Sequence, residues 1–401
     1  MEPTTATLPG AALALIHTGA APTRSALTAK LGVTRATTGT VTGELRDLRL
    51  IQVAAASGVG RHGRPSHRLL PDPCGPVALA AEIHTDGFAV ALIGLGAAIV
   101  ATVRRDLPVP ADPERALAPV SEAAAELLRE SGRPCVGVAL AVPFAVTELG
   151  GAAVGALYFG WADGAQVSDI FAAQLADHGM TGPHGARLAC RAVNDVNAVA
   201  LAEHRHGAGR DAAHLLVVAA TRRGVGSALV LRGALYTGST GLAMEAGHVS
   251  IDPHGRPCPC GSRGCLNVET DAGRFLEAAG RRPDQGSAPL DAAIAVLTAG
   301  YATDPRVREA AGTIVGRLGL GLASLVNVIN PDRVLLGGLH KHLLLAAPDE
   351  LRDAVAARSP WDRGAAVPIS PCALDDAALI GAAELAWQPV LDNPAILRSP
   401  A

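Results

Sequence analysis

The sequence has no uninterrupted apolar run of about 18 residues or more, the length at which a membrane-spanning helix becomes the first reading. Residues 1–25 also lack a charged segment followed by a long apolar core, so no secretory leader is expected. The expected location is therefore the cytoplasm, with no membrane partner. Cysteine is scarce, at seven in 401 residues. Cys74, Cys135, Cys190 and Cys372 are scattered, and a reducing compartment leaves such thiols free. Aromatic residues make up only 3% of the chain, so Tyr158, Phe159 and Trp161 in "LYFGW" stand out. Core packing is their commoner use, although one ring could stack on a ligand. What is plentiful is apolar aliphatic sequence: 49% of the residues are hydrophobic, enough to build two or three compact units.

The net charge of −3 is unevenly spread. Residues 1–70 carry eight Lys or Arg against three acids, a net of +5, which leaves −8 for the remainder. A basic head on an acidic body suits a polyanionic partner such as double-stranded DNA.

The head carries local signals of the same kind. "AALALIHTG" has apolar residues at helical spacing and stops at Gly19. Thr23 is placed to cap a second helix over about 24–31, Gly32 to turn, and Thr34 to cap a third helix with Val41, Leu45 and Leu48 inward. Helix, glycine turn, helix is the helix-turn-helix pattern. On that reading Arg35, Thr37, Thr38 and Thr42 face solvent and the major groove. A plain three-helix bundle would share these signals but not the stretch that follows. There, strand-like "LIQVAA" and "SHRLL" flank the basic "GRHGRP", a wing whose Arg61 and Arg64 suit a minor groove. "PDPCGP" then reads as a linker, giving a winged helix-turn-helix DNA-binding unit over residues 1–72 and a body over 73–401.

The body alternates strands such as "VALAAEI", "CVGVALAVP" and "HLLVVAAT" with helices such as "PERALAPVSEAAAELLRESG". This is α/β architecture with the strand–helix theme played twice. Within it, His248, Cys258, Cys260 and Cys265 follow the spacing His-x9-Cys-x-Cys-x4-Cys. Three thiolates and an imidazole complete a tetrahedron with no position open for a catalytic water, so the set reads as a structural Zn2+ site. A disulfide or unligated thiols would draw on the same residues.

"VNDVNAVALAEHRHGAG", "TGLAMEAGHVSID", "CPCGSRGCLN" and "NVINPDRVLLGG", in that order, resemble the ROK family of repressors and sugar kinases over about residues 80–390. The winged head resembles its repressor branch. The resemblance implies an actin-like (ribonuclease H-like) body of two α/β lobes with a ligand cleft between them. It implies a sugar or sugar-derived effector held by Asn194, Asp195, Glu245 and His248, with Asn267 where the family carries Glu. It implies that His248 joins the zinc through one nitrogen and offers its other N–H to the ligand. It also implies a homodimer or homotetramer.

In the family's kinases the position of Asp195 is the general base, so a sugar kinase with an accessory DNA-binding head is the alternative. Two departures argue against it. Where the family's first phosphate loop reads Asp-x-Gly-x-Thr, this chain reads "EIHTD", Glu82–Asp86. Where the second reads Gly-Thr-Gly-x-Gly, this chain reads "RRGVG", with Arg222 and Arg223 in place of the first two residues. Only Gly337 and Gly338 of "LLGG" survive on the adenosine side. The expectation is therefore a DNA-binding transcriptional regulator, most simply a repressor, rather than an enzyme. Phe144, where the family typically has Gly, should reshape the sugar site, and a phosphate on the ligand could meet Arg222 or Arg223.

Overall fold

The computed structural model describes the chain except residues 1–5, 56–65, 107–111, 148–150, 157–158, 223, 283–287, 361–366 and 399–401. Three helices open it: α1 (Leu8–His17), α2 (Arg24–Leu31) and α3 (Arg35–Asp47). Their starts follow from local chemistry. Thr7 Oγ1 accepts from Gly10 N, Thr23 Oγ1 from Ala26 N and Thr34 Oγ1 from Thr37 N, satisfying N–H groups that have no helical partner. Gly32, at φ +65°, supplies the left-handed residue that lets α2 stop and α3 begin. The antiparallel strands β1 (Ile51–Ala54) and β2 (Arg68–Pro71) follow, pairing Ile51 with Pro71 through Ala54 with Arg68. The tip between them, with Arg61 and Arg64, lies outside the described residues, as do Tyr158 and Arg223.

One sequence expectation fails in α3. Thr38 and Thr42 are buried, at 1% and 0% exposure, and do not face solvent. Their spacing explains why: 38, 41, 42 and 45 fall on one helical stripe, so a face that buries Val41 and Leu45 buries both threonines. Their hydroxyls are satisfied internally. Thr42 Oγ1 donates to Thr38 O, and Thr38 Oγ1 shares a 2.8 Å hydrogen bond with Thr28 Oγ1 of α2. The outward face of α3 presents Arg35, Ala36 and Thr40, with Thr37 half-buried at its edge.

The body contains two five-stranded sheets of one topology. The first has the order β5-β4-β3-β6-β9, from β3 (Val77–His84), β4 (Gly87–Gly94), β5 (Ala98–Asp106), β6 (Cys135–Val142) and β9 (Cys190–Asn194). The second has the order β12-β11-β10-β13-β14, from β10 (His214–Thr221), β11 (Gly224–Leu231), β12 (Ala234–Leu235), β13 (Arg333–Gly337) and β14 (Ile369–Pro371). In each, an antiparallel meander of three strands is extended by two parallel strands. The central strands β4 and β6 are buried at every position, which is why they read as unbroken apolar runs. A short hairpin, β7 (Ala145–Val146) and β8 (Ala153–Val154), sits at the end of β6.

Helices α4 (Pro113–Ser131) and α5 (Val167–Asp177) cover the first sheet. Helices α7 (Leu266–Thr270), α8 (Ala272–Ala278), α9 (Pro289–Gly300), α10 (Pro305–Ile329), α11 (Gly338–Ala346) and α12 (Pro348–Ala356) belong to the second lobe. At 25 residues α10 is long and apolar enough to cross a membrane by length and composition. Half of its apolar stretch is buried, with Leu318, Leu322 and Val326 in the second lobe's core.

Two helices lie between the lobes: α6 (Asp195–His206) and α13 (Ala377–Asp392). Trp387 of α13 is fully buried, and its Nε1 donates to Ile93 O at 3.0 Å. Core residues of the head, among them Leu13, Ile16, Leu45 and Leu69, form one cluster with Ala78, Ala91 and Trp387 of the body. The winged head is thus fused to the body's packing and not strung from a linker. Thr7 N and Oγ1 both bond Asp392 O, and Arg398 pairs with Glu44 at 2.8 Å, so the C-terminal segment straps the head.

Candidate effector site and metal cluster

The first residues of α6 enter the cleft from the end of β9. Asn194 caps the helix: its Oδ1 accepts from Val196 N at 3.0 Å and Asn197 N at 3.1 Å, and its Nδ2 donates to Phe144 O at 3.4 Å. This side chain, expected to face a ligand, already spends its polar atoms joining α6 to the strand β6–β7 turn. Asp195 lies one step further, its carboxylate accepting from Val196 N at 2.8 Å.

Asp195 stands where two cavities meet. One, of about 280 Å³, is lined by Phe144, Asn194, Asp195, Glu245, His248 and Asn267 among others. The five residues expected to hold the effector therefore border one space. The other, also about 280 Å³, is lined by Glu82, His84, Asp195, Arg222, Gly338 and Lys341 among others. Carboxyls along this cleft are reluctant to ionise. Burial, reinforced by Glu82 and Glu245, pushes Asp195 up to about 7. Burial pushes Glu82 to about 6, against the pull of Arg222, and raises Glu245. Carboxyls poised between protonation states can both accept from and donate to a polyhydroxylated ligand.

Phe144 forms an edge-to-face cluster with Phe159 and Trp161, with ring centroids 5.0–5.6 Å apart. All three are 5% exposed. The two distal aromatics that stood out in the sequence are core, and they hold the Phe144 ring at the cavity wall.

At the opposite wall, Glu245 and His248 flank a one-turn 3-10 helix, Ala246–His248. The metal cluster adjoins it. The ligand atoms of His248, Cys258, Cys260 and Cys265 all lie within 4.8 Å of one another. Cys260 Sγ is 3.7 Å from Cys265 Sγ, and Cys258 Sγ is 3.6 Å from His248 Nδ1. Ligands at about 2.3 Å (sulfur) and about 2.1 Å (nitrogen) from one tetrahedral ion would be about 3.8 Å and about 3.6 Å apart. The residues fit a four-coordinate metal, with His248 Nδ1 as its ligand. Burial and the neighbouring thiols push Cys265 up to about 12, so a metal bound here would displace its proton. The backbone is folded to match. Gly264 has φ +57°, and a Cβ there would lie 1.7 Å from Asp252 O, so only glycine lets the loop cross itself.

Asn267 lies behind the cluster. Its Oδ1 accepts from Val225 N at 2.6 Å, and its Nδ2 points to Cys258 Sγ at 3.9 Å. It is 5% exposed. It ties the metal loop to the β10–β11 hairpin at Gly224, where a Cβ would fall 2.0 Å from that same Oδ1. Glu269, unremarked in the sequence, is buried one turn on, accepting from Arg256 N at 3.0 Å and paired with Arg317. It lies on the short helix α7, and nothing local in the sequence signals that its carboxylate turns inward.

The second cavity carries another feature invisible in the sequence. Arg222, from the hairpin of the second lobe, donates to Asp86, from the hairpin of the first, at 3.0 Å. It also lies 3.5 Å from Asp291. His84 Nδ1 contacts Asp86 Oδ1 at 2.7 Å. Burial would raise the Asp86 carboxyl, but His84 and Arg222 hold it below its ordinary value. The Arg222–Asp86 pair thus bridges the two hairpins, one from each lobe.

Residues 80–388, more than half of the chain, match the ROK family. The chain belongs to the ROK family. Among curated relatives, this ROK protein is 32% identical over 156 residues to a glucokinase of Halalkalibacterium halodurans, covering 36% of this chain and 47% of the relative. It is 28% identical over 158 residues to the DNA-binding transcriptional dual regulator NagC of Escherichia coli K12, covering 38% of each. The chain thus spans about half the length, or less, of the curated relatives it matches. Among solved structures, a ROK family transcriptional regulator described as a homolog of the E. coli MLC protein superposes with TM-score 0.73 at 20% identity, over 96% of both chains. A ROK glucokinase from Streptomyces griseus, in complex with glucose and AMPPNP, superposes with TM-score 0.62 at 20% identity, over 78% of this chain and 99% of its own. The fold of this ROK protein is therefore the family's two-lobed actin-like body with a helix-turn-helix head.

Proposed function

We propose that this protein is a DNA-binding transcriptional regulator, most simply a repressor, whose cleft senses a sugar or sugar-derived ligand. The observation that carries this reading is a winged helix-turn-helix head sharing one hydrophobic core with a body that contains a hydroxyl-friendly cavity. The solved regulator aligns over that head as well as the body, whereas the glucokinase aligns over about the body alone. Operator DNA would meet Arg35, Thr40 and the edge of Thr37. The protein would act in the cytoplasm as a homodimer or homotetramer, the arrangement with which helix-turn-helix proteins read paired half-sites.

In this reading His248, Cys258, Cys260 and Cys265 hold a structural Zn2+. A bound zinc supplies no chemistry here beyond rigidity: it fixes His248 through Nδ1 and leaves Nε2 for a ligand hydroxyl. Asp195 and Glu245 would meet the remaining hydroxyls, with Asn194 and Asn267 positioning the elements that carry them.

A mobility-shift titration on the DNA upstream of its own gene tests the proposal, run with glucose, N-acetylglucosamine and their 6-phosphates. The expected result is a sequence-specific shift that one of these sugars weakens or strengthens. No specific shift in any condition would refute it.

A sugar kinase is the second reading, because a carboxyl raised to about 7 is well placed to act as a base near neutral pH. Against it stand the Asp86–Arg222 pair in the phosphate region and the lost glycine of the first hairpin. An ATP-coupled assay across hexoses and amino sugars decides: turnover that disappears in Asp195→Asn would establish the kinase.

A further inference from the structure

A second cluster of ionisable side chains lies far from the metal loop, where head and body meet. Glu384 of α13 is buried, its side chain 1% exposed, and it receives three partners. From the head, His17 Nε2 at the end of α1 contacts its two oxygens at 2.8 and 2.9 Å. From the C-terminal end of α6, His206 Nε2 contacts Oε1 at 2.8 Å, and Arg205 Nη1 donates to Oε2 at 2.6 Å. Arg205 also donates to Gln388, and Arg210, just past α6, donates to Thr18 O of the head. The His17 and His206 rings pack edge-on, 4.9 Å apart.

This trio satisfies the donor requirements of a metal site, but its hydrogen bonding does not. Gly96 N–H donates to His17 Nδ1 at 2.8 Å, so Nδ1 is the acceptor and Nε2 carries the hydrogen directed at Glu384. A metal on Nε2 would move the ring hydrogen to Nδ1, against the Gly96 N–H. Arg205 beside the carboxylate would repel the cation as well.

What the geometry provides is a junction. Helix α6 starts at the effector cavity with Asn194 and Asp195 and ends on Glu384 with Arg205 and His206, a 12-residue rod of about 18 Å. We propose that Glu384 is a coupling residue: it ties the far end of α6 to His17 of the DNA-binding head, so that the state of the cavity and the seating of the head bias one another through α6. The cavity's role as an effector site is taken from the function proposed above. The physical basis is that losing any one of these donors leaves a buried carboxylate oxygen short of a hydrogen bond in a dry interface, at the desolvation cost of that group. A shift or rotation of α6 must therefore either carry α1 with it or break the set. Coupling of this kind is reciprocal.

The test needs neither effector nor DNA. Amide hydrogen exchange is measured on the full chain, wild type and variants. His17→Leu, which alters only the head, is expected to speed exchange along residues 195–206 by about tenfold as well as in α1. Asn194→Ala, which alters only the cavity end, is expected to speed exchange across Leu8–His17. His17→Gln, which keeps an acceptor for Gly96 and a donor for Glu384, should restore most of the protection in α6. Loosening confined to the mutated end, with the other end unchanged, would overturn the proposal. Should His17→Leu fail to fold, Asn194→Ala and His17→Gln still decide. If the exchange coupling holds but wild-type protein binds no specific DNA, the coupling stands and the regulatory function fails.

Discussion

Asn in place of Asp195 removes a carboxyl that the folded protein prefers to keep protonated. Its folded pKa of about 7 lies about three units above the ordinary value of 3.8. At 1.36 kcal/mol per unit this corresponds to about 4 kcal/mol as an upper limit. The side chain borders an open cleft, so water screens part of the cost, and about 2 kcal/mol is the working figure. The sign follows from linkage. A carboxyl with a raised folded pKa favours the folded state fully below pH 4, and that contribution is lost as pH rises through about 7. Wild-type stability should thus decline between about pH 4 and pH 8, and Asp195→Asn should decline less. Asn keeps an oxygen to accept from Val196 N, so the start of α6 is preserved. The assay is urea unfolding of both proteins at pH 5 and pH 8. The variant should gain about 1 kcal/mol on wild type at pH 8 relative to pH 5, because pH 5 already lies about one unit above the unfolded value. Parallel behaviour at the two pH values, or a variant destabilised at pH 8, would refute the reasoning and mean that Asp195 is ionised in the folded cleft.

Other perturbations have distinct expected outcomes. Cys258→Ser should abolish metal retention after gel filtration, measured by elemental analysis, and should lower the melting temperature, because the loop from Ile251 to Cys265 has few apolar contacts to replace the ion. Arg222→Ala should change stability by less than about 1 kcal/mol, since the pair with Asp86 is partly exposed, yet should widen the cleft as seen by small-angle scattering. Arg35→Ala should weaken operator binding and reduce the slope of affinity against salt by about one, whereas Thr42→Val should leave affinity intact and cost about 1 kcal/mol through its lost bond to Thr38 O. Gly224→Ala should disturb the cavity lined by Asn267 and Glu245, detected as lost protection of the β10–β11 hairpin, because its Cβ would collide with Asn267.

Much of this protein was legible before any coordinates. Thr23, Gly32 and Thr34 announce the bounds of α2 and α3 because caps and left-handed turns are decided by residues a few positions apart. The apolar strands and the long α10 are equally local, set by periodicity and propensity. The gathering of His248, Cys258, Cys260 and Cys265 is legible for the same reason: three cysteines in eight residues can be brought together by a loop alone. The orientation of a side chain within a stripe is less secure, and Thr38 and Thr42 show why. A threonine suits a solvated face or a buried one with a carbonyl one turn back, and only packing against α2 chooses between them.

The tertiary structure alone decided everything that depends on partners distant in the chain. Asp86 and Arg222 are 136 positions apart, and nothing near either signals a bridge between lobes. Glu384 and His17 are 367 apart, and an acid in the middle of an apolar C-terminal helix gives no hint of the three partners that fold around it. The raised pKa of Asp195 belongs here too, since it comes from burial and from Glu82 and Glu245, which only the folded chain brings together. Local sequence determines what a segment can form; which charges share a dry space, and hence what they cost and couple, is determined by the fold as a whole.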